Sequence, residues 1–282
     1  MPDQYYRISD VVFCIRSEFP IEDGKSFQPF REKEQKPDFT VTFREEAHLP
    51  EVLGEVLYSN DNFSVIRGNG GFSRVYFDKR CDDFVYAVTR LDWEAGTETV
   101  CFLPSYRDRF ETVRLACTHI SLESMLLHRN RLVLHASLLD KGILFTGPSG
   151  IGKSTQAALW ETYAGAEIIN GDRPILGYEN GTWTAYGSPY AGSSEYWKQK
   201  QTPVHAIAVL SQGSENCAVR LNVRESFTPL FSESAQNPWD GDYTGHLADL
   251  VGMLAGEVPV FRFVCRPDES AVSYLKTQIL DL

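Results

Sequence analysis

The chain has 282 residues, with 27 basic and 38 acidic side chains and a formal charge of −11. A 43% hydrophobic and 12% aromatic content supports a full core in one large domain or two modest ones, while 23% charged residues is ordinary for a globular chain. A nucleic-acid partner is excluded by the acidic balance and by the lack of any dense Lys/Arg run, and a transmembrane role by the lack of any apolar run near roughly 18 residues.

The opening, Met1 to Asp10, has no basic stretch followed by an apolar segment, so the expectation is a cytoplasmic protein without a signal or transit peptide. Cys14, Cys81, Cys101, Cys117, Cys217 and Cys265 are scattered, without CxxC spacing, and read as buried free thiols. Residues 52–58, 63–67, 72–77, 84–91 and 97–103 are short runs rich in β-branched and aromatic residues, separated by turn chemistry; they predict an antiparallel β-meander. The glycine-rich segment 68–71 between two of them reads as a hairpin turn, since Ser73 stands where a dinucleotide loop needs its third glycine. Nothing in residues 1–105 forms a catalytic cluster.

From Arg107 to His128 apolar residues recur at three- and four-residue steps, which predicts one amphipathic helix. Residues 132–139 and 142–146 then read as two strands around the turn Asp140-Lys141-Gly142. The change from meander to alternating α and β places a boundary near residue 105: a β-rich region over 1–105 and a second domain over 106–282, which can also pack as one unit.

Gly147-Pro148-Ser149-Gly150-Ile151-Gly152-Lys153-Ser154, followed by Thr155, fits G-x-x-x-x-G-K-[ST]. A strand-like run precedes it and good helix formers follow, as that loop requires. Glycines there let backbone N–H groups turn inward as a phosphate cradle at the positive end of a helix. Lys153 brings a mobile positive charge to the β- and γ-phosphates, and the Ser154 hydroxyl suits magnesium. The run Ala166–Asp172 predicts the next strand of a tight βαβ unit and places Asp172 at its end as the metal carboxylate. The reading is therefore of a nucleoside triphosphate site with Mg2+.

Taken together, His135 on a strand before the loop, the loop itself, and Gly171-Asp172-Arg173 after one helix resemble the HPr kinase/phosphorylase and phosphoenolpyruvate carboxykinase superfamily over about Leu126 to Ile207. A looser similarity, at 186–192 and 257–267, is to the HPr-kinase-like proteins of peptide natural-product pathways of the lasso-peptide type. The resemblance implies an α/β (α+β) fold: an HPr kinase / phosphoenolpyruvate carboxykinase-like P-loop core with an N-terminal antiparallel β-meander. It also implies a kinase that uses ATP and Mg2+ to phosphorylate a serine or other hydroxyl of a peptide or protein, with Lys153, Asp172 and His135 as catalytic residues and residues 147–155 on the nucleotide. The chain departs from the family at Gly171, where the family carries the carboxylate assigned as its base; Asp172 matches the second, metal-shell aspartate. That leaves His135, Asp172 and Glu195 as replacements, and a nucleotide-binding regulatory protein without transfer as the alternative function.

His135 reads either as a group meeting phosphates or acceptor or as a satisfied core histidine. Arg173 faces either phosphate or Glu167, and residues 186–192 form either a closing loop or a plain turn. One of Arg262 and Arg266 faces the cleft, or both lie on the surface; Lys198 and Lys200 read as solvated surface. Residues 226–243 read as a long loop, a lid or an acceptor-recognition element, followed by helices over 245–257 and from about 268 to 280. The acceptor, any phosphorylase activity and the oligomeric state stay open.

Overall fold

The computed structural model describes residues 2–68 and 71–280. It divides into two compact units: residues 1–125 with 238–240, and residues 126–237 with 241–282. The first unit therefore runs past the change of pattern at residue 105 and takes in a short segment from far along the chain.

In the first unit the strands are β1 (Gln4–Ile8), β2 (Val11–Ser17), β3 (Arg31–Glu32), β4 (Phe39–Glu45), β5 (Glu55–Ser59), β6 (Phe63–Gly68), β7 (Gly71–Asp78), β8 (Phe84–Asp92) and β9 (Thr97–Phe102), with the short helices α1 (Gly24–Phe27) and α2 (Val113–Ala116). The described strands form a nine-stranded sheet in the order β3-β1-β2-β4-β9-β8-β7-β6-β5. From β5 to β9 it is the expected antiparallel meander. Beyond that, β2 with β4 and β4 with β9 pair in parallel, making the sheet mixed. Gly68 pairs with Gly71 across the β6/β7 hairpin; the two turn residues themselves lie outside the described residues.

The helix expected over 107–128 is instead a series of short turns. A 3-10 segment covers Pro104–Phe110, α2 follows, then a second 3-10 turn at Cys117–His119 and α3 (Leu122–His128). Thr112 is extended and caps α2 by accepting from the Leu115 N–H. Ile120 is extended, and Ser121 donates its N–H and hydroxyl to the buried Glu98 carboxylate at 2.8 and 2.9 Å. Those tertiary bonds outweigh the helical period.

The second unit contains β10 (Arg131–Val133), β11 (Ala136–Leu139), β12 (Ile143–Thr146), α4 (Lys153–Ala164), β13 (Ile168–Asn170), β14 (Ile175–Glu179), β15 (Thr182–Tyr186), β16 (Gln201–Pro203), β17 (Ala206–Gln212), β18 (Cys217–Arg220), α5 (Val223–Glu233), α6 (Gly241–Glu257), β19 (Val260–Cys265) and α7 (Glu269–Leu280). A six-stranded sheet runs β13-β11-β12-β17-β19-β18, beside a four-stranded antiparallel sheet β10-β14-β15-β16. At the centre of the larger sheet β12, β17 and β19 are parallel. Their residues are buried on both faces: Leu144, Ile207 and Val260 pack with Leu247, Val251 and Leu254 of α6. Phe145, Ala208 and Phe263 pack with Trp160 of α4 and Leu275 of α7. The unit is thus an α/β/α sandwich, and mixed α/β is the fold class of the chain.

Several local expectations change here. The run 132–139 is two strands in two sheets, because at 134–135 the backbone leaves β14 and pairs with the end of α5: the His135 N–H donates to Glu233 O at 2.8 Å and the Ala235 N–H to Val133 O at 2.9 Å. β12 and β13 flank α4 as a βαβ unit, but antiparallel β11 lies between them. The long loop expected over 226–243 is mostly helix, α5 followed by α6, with Asn222 and Glu225 forming a capping box ahead of Pro229. Cys14, Cys117 and Cys265 are buried, but Cys81 and Cys217 are exposed and Cys101 is half-buried; all six are free thiols. No helix among the described residues is long and apolar enough to cross a membrane.

Candidate functional site

β12 delivers the chain into the loop 147–152, and α4 leaves it at Lys153. Gly150 and Gly152 have φ of +80° and +114°, conformations in which an L side chain is strained, and a Cβ on either would enter open space above the loop. The loop carries no side chain at these two positions, and it leads into a twelve-residue helix whose first N–H groups have no intrahelical carbonyl. Lys153 is buried, and its ammonium donates to Gly147 O at 2.7 Å and Pro148 O at 3.2 Å. Burial pulls its pKa below the usual ammonium value; the Glu233 and Asp172 carboxylates pull it back up and Arg173 lowers it. Ser154 and Thr155 are exposed on the first turn of α4, and among the described residues no hydrogen bond or ion pair joins either to Asp172.

Because β11 is antiparallel to β12, its first residue lies opposite Thr146, and His135 comes to the mouth of the loop. The Thr146 hydroxyl donates to His135 O at 2.9 Å, and the Ala136 N–H to Asp172 O at 2.9 Å, which brings the turn after β13 to the same edge. His135 then lies between two carboxylates: Nδ1 is 2.9 Å from Glu233 Oε2, and Nε2 is 3.3 Å from Asp172 Oδ1. Glu233 closes the C-terminal turn of α5 and also receives the His135 backbone N–H, so the pair is held by main chain and side chain together.

Asp172 is aimed by Asn170. The Asn170 side chain is fully buried; its Oδ1 accepts the N–H groups of Asp172 at 3.0 Å and Arg173 at 2.7 Å. Its Nδ2 donates to Ser188 O at 2.9 Å and Tyr190 O at 3.2 Å. The segment 186–192 therefore braces this turn, and Ser188 adds a hydroxyl bond to Arg173 O at 2.6 Å.

Gly171 is closely surrounded. A Cβ there would lie 1.9 Å from Ser194 Oγ and 2.8 Å from Ser194 Cβ. No carboxylate stands at position 171, and Ser194 fills the space beside it. Glu195 is exposed on the following loop and Arg262 is exposed on β19. Arg266 pairs with Asp268 at 2.8 Å. Arg173 pairs with Asp172 at 3.5 Å and not with Glu167, which Lys198 and Lys200 hold at 2.9 and 2.7 Å, keeping its carboxyl at about 2.

The expected residues Lys153, His135 and Asp172 thus converge, while Glu195, Arg262 and Arg266 stay outside. Sequence reading missed two participants. Glu233 lies in the stretch taken for a loop, although Asn222-x-x-Glu225 ahead of Phe227, Leu230 and Phe231 is a helix-start signal. Asn170 is signalled only by its place before a turn.

No family model matches the chain, and no curated protein does. Among solved structures, the HPr(Ser) kinase/phosphatase from Coxiella burnetii matches at 19% identity over 53% of this chain and 93% of that one, with a TM-score of 0.31.

Proposed function

We propose that the protein is an ATP- and Mg2+-dependent kinase that transfers the γ-phosphoryl group to a serine or other hydroxyl of a peptide or protein. The observation that carries this reading is the Glu233–His135–Asp172 array at the mouth of a P-loop whose lysine feels both carboxylates. The loop amides and Lys153 bind the triphosphate and oppose the charge that accumulates as transfer proceeds. Among the described residues no group of three or more His, Cys, Asp or Glu side chains is built to hold a metal by itself. Magnesium takes one or two protein oxygens and completes its shell with phosphate and water. Ser154 and Asp172 are the residues that would hold it, and when bound it neutralises phosphate charge.

In the tautomer of His135 whose Nδ1–H donates to Glu233, Nε2 is the nitrogen free to accept a proton, on the side of Asp172. An acceptor hydroxyl entering there gives its proton to Nε2 or to the Asp172 carboxylate. Its oxygen bonds to the γ-phosphorus, and the bond to the β–γ bridging oxygen breaks, releasing ADP. Glu233 keeps the imidazole oriented and balances its charge, so a base is present although residue 171 carries no carboxylate.

Ser194 in the space at Gly171 favours a second reading, a nucleotide-binding regulatory protein without transfer. Incubation of the protein with Mg2+, γ-labelled ATP and a mixture of serine-containing peptides separates the two. Labelled peptide that disappears in His135→Asn and Glu233→Gln supports the kinase. Tight ATP binding with no label in any peptide and no ADP released supports the regulator.

A further inference from the structure

The first unit holds a cavity of about 510 Å3 on the meander, built entirely from its own residues and unrelated to the loop 147–154. Two charged side chains lining it are nearly inaccessible: Arg74 is 8% and Glu98 1% exposed. Arg74 is already committed, through its ion pair with Glu123, a hydrogen bond to Ile120 O at 3.2 Å, and its guanidinium lying 5.6 Å from the ring centre of Trp239. Among the described residues Glu98 accepts hydrogen bonds from Ser121 alone, one on each carboxylate oxygen, with the Arg74 guanidinium near enough to act on its charge. An ionised carboxylate has about four acceptor positions, so its capacity is half used. Asp92 and Glu94 add negative charge at the lining, and Trp93 and Trp239 supply aromatic surface.

We propose that this cavity binds an alkyl cation, a guanidinium or alkylammonium group, with the charged head against Glu98 and the alkyl stem between Trp93 and Trp239. The chemistry follows from what is left over. Arg74, the one cation among the described lining residues, is opposed by Glu123 and Glu98, and Asp92, Glu94 and Asp240 add further negative charge, so the lining carboxylates dominate the field. A cation brought beside Glu98 is attracted more strongly than in water because the surroundings are of low dielectric, and aromatic faces reward a cation further. Burial already holds the Glu98 carboxyl near 7, so the empty site is partly protonated at neutral pH and an arriving cation ionises it. A neutral ligand would leave that carboxylate poorly matched. The same cation could be carried on a peptide side chain or be a free small molecule.

The test titrates the full-length protein by calorimetry at pH 8 with three probes: butylguanidinium, its neutral analogue butylurea, and a capped pentapeptide with one central arginine. Saturable binding of butylguanidinium with butylurea at least about tenfold weaker is expected, corresponding to roughly 1.4 kcal/mol. Glu98→Gln should lose about tenfold in butylguanidinium affinity. Trp239→Ala and Asp92→Asn, at half-buried and exposed positions, should each lose a few-fold and serve if Glu98→Gln does not fold. Pentapeptide binding equal to or tighter than butylguanidinium identifies a peptide-borne cation, and exclusion of the pentapeptide identifies a free one; either supports the cavity. Equal affinity for butylurea, no saturation by butylguanidinium, or unchanged affinity in all folded variants would overturn it.

Discussion

Replacing Asn170 by alanine tests whether the site's geometry depends on one buried amide. The substitution deletes two bonds accepted from the N–H groups of Asp172 and Arg173 and three donated to Ser188 O, Ser188 Oγ and Tyr190 O through the two Nδ2 hydrogens, so four donor hydrogens are involved. At a net value of about 1 kcal/mol per donor hydrogen the loss is about 4 kcal/mol. Water can reach Arg173, which is exposed, and recover part of one bond, so about 3 kcal/mol is expected. Urea unfolding followed by circular dichroism would read this as a lower midpoint at unchanged slope. Asn170→Asp sharpens the test because it conserves volume. It keeps the two accepted bonds but sets a carboxylate oxygen against the Ser188 and Tyr190 carbonyls, and burying that charge should cost at least as much. A cost below about 1 kcal/mol for Asn170→Ala, or a neutral Asn170→Asp, would refute the claim that this amide fixes the turn presenting Asp172.

Three further outcomes are expected. Lys153→Ala should lower ATP affinity by roughly tenfold or more in a binding titration, because it removes the positive charge at the phosphate cradle; unchanged affinity would end the P-loop reading. Gly171→Ala should cost about 1–3 kcal/mol by forcing a Cβ onto Ser194, and Ser194→Gly in the same chain should recover most of it in a double-mutant cycle; additive costs would mean that the crowding is not what limits residue 171. In the first unit two buried groups give opposite pH dependences. Glu98, raised from 4.5 to about 7 by burial, holds a proton that the unfolded chain releases, so its contribution to stability falls as pH rises from 4.5 to 7. His119 is lowered from 6.5 to about 4 by burial, and its contribution rises with pH across that interval. Against wild type, His119→Gln should therefore lose stability with rising pH between 4.5 and 6.5, at up to about 1.4 kcal/mol per pH unit; urea titrations that stay parallel would exclude His119 as the opposing group.

What sequence alone determined is what nearest neighbours dictate. The meander is written in short β-rich runs broken by turn residues, and β5 to β9 follow them. The loop at 147–154 is legible because the glycines, Lys153 and Ser154 lie within a few residues of chain, and the strand before it and the helix after it are equally local. Asp172 follows from ending the next strand.

Tertiary structure decided what depends on partners distant in sequence. The 107–128 segment has a helical period, yet Glu98, 23 residues away in sequence, captures Ser121, so the helix breaks. Leu134 and His135 look like the middle of a strand, but their backbone is claimed by the end of α5. The same contact sets Glu233 against His135, 98 residues apart in sequence. No local propensity encodes that meeting; it exists because antiparallel β11 brings His135 to the P-loop while α5 ends at the same edge. The sequence thus picks out the glycine-rich loop, and the packing of distant elements decides that His135, Glu233 and Asp172 stand together beside it.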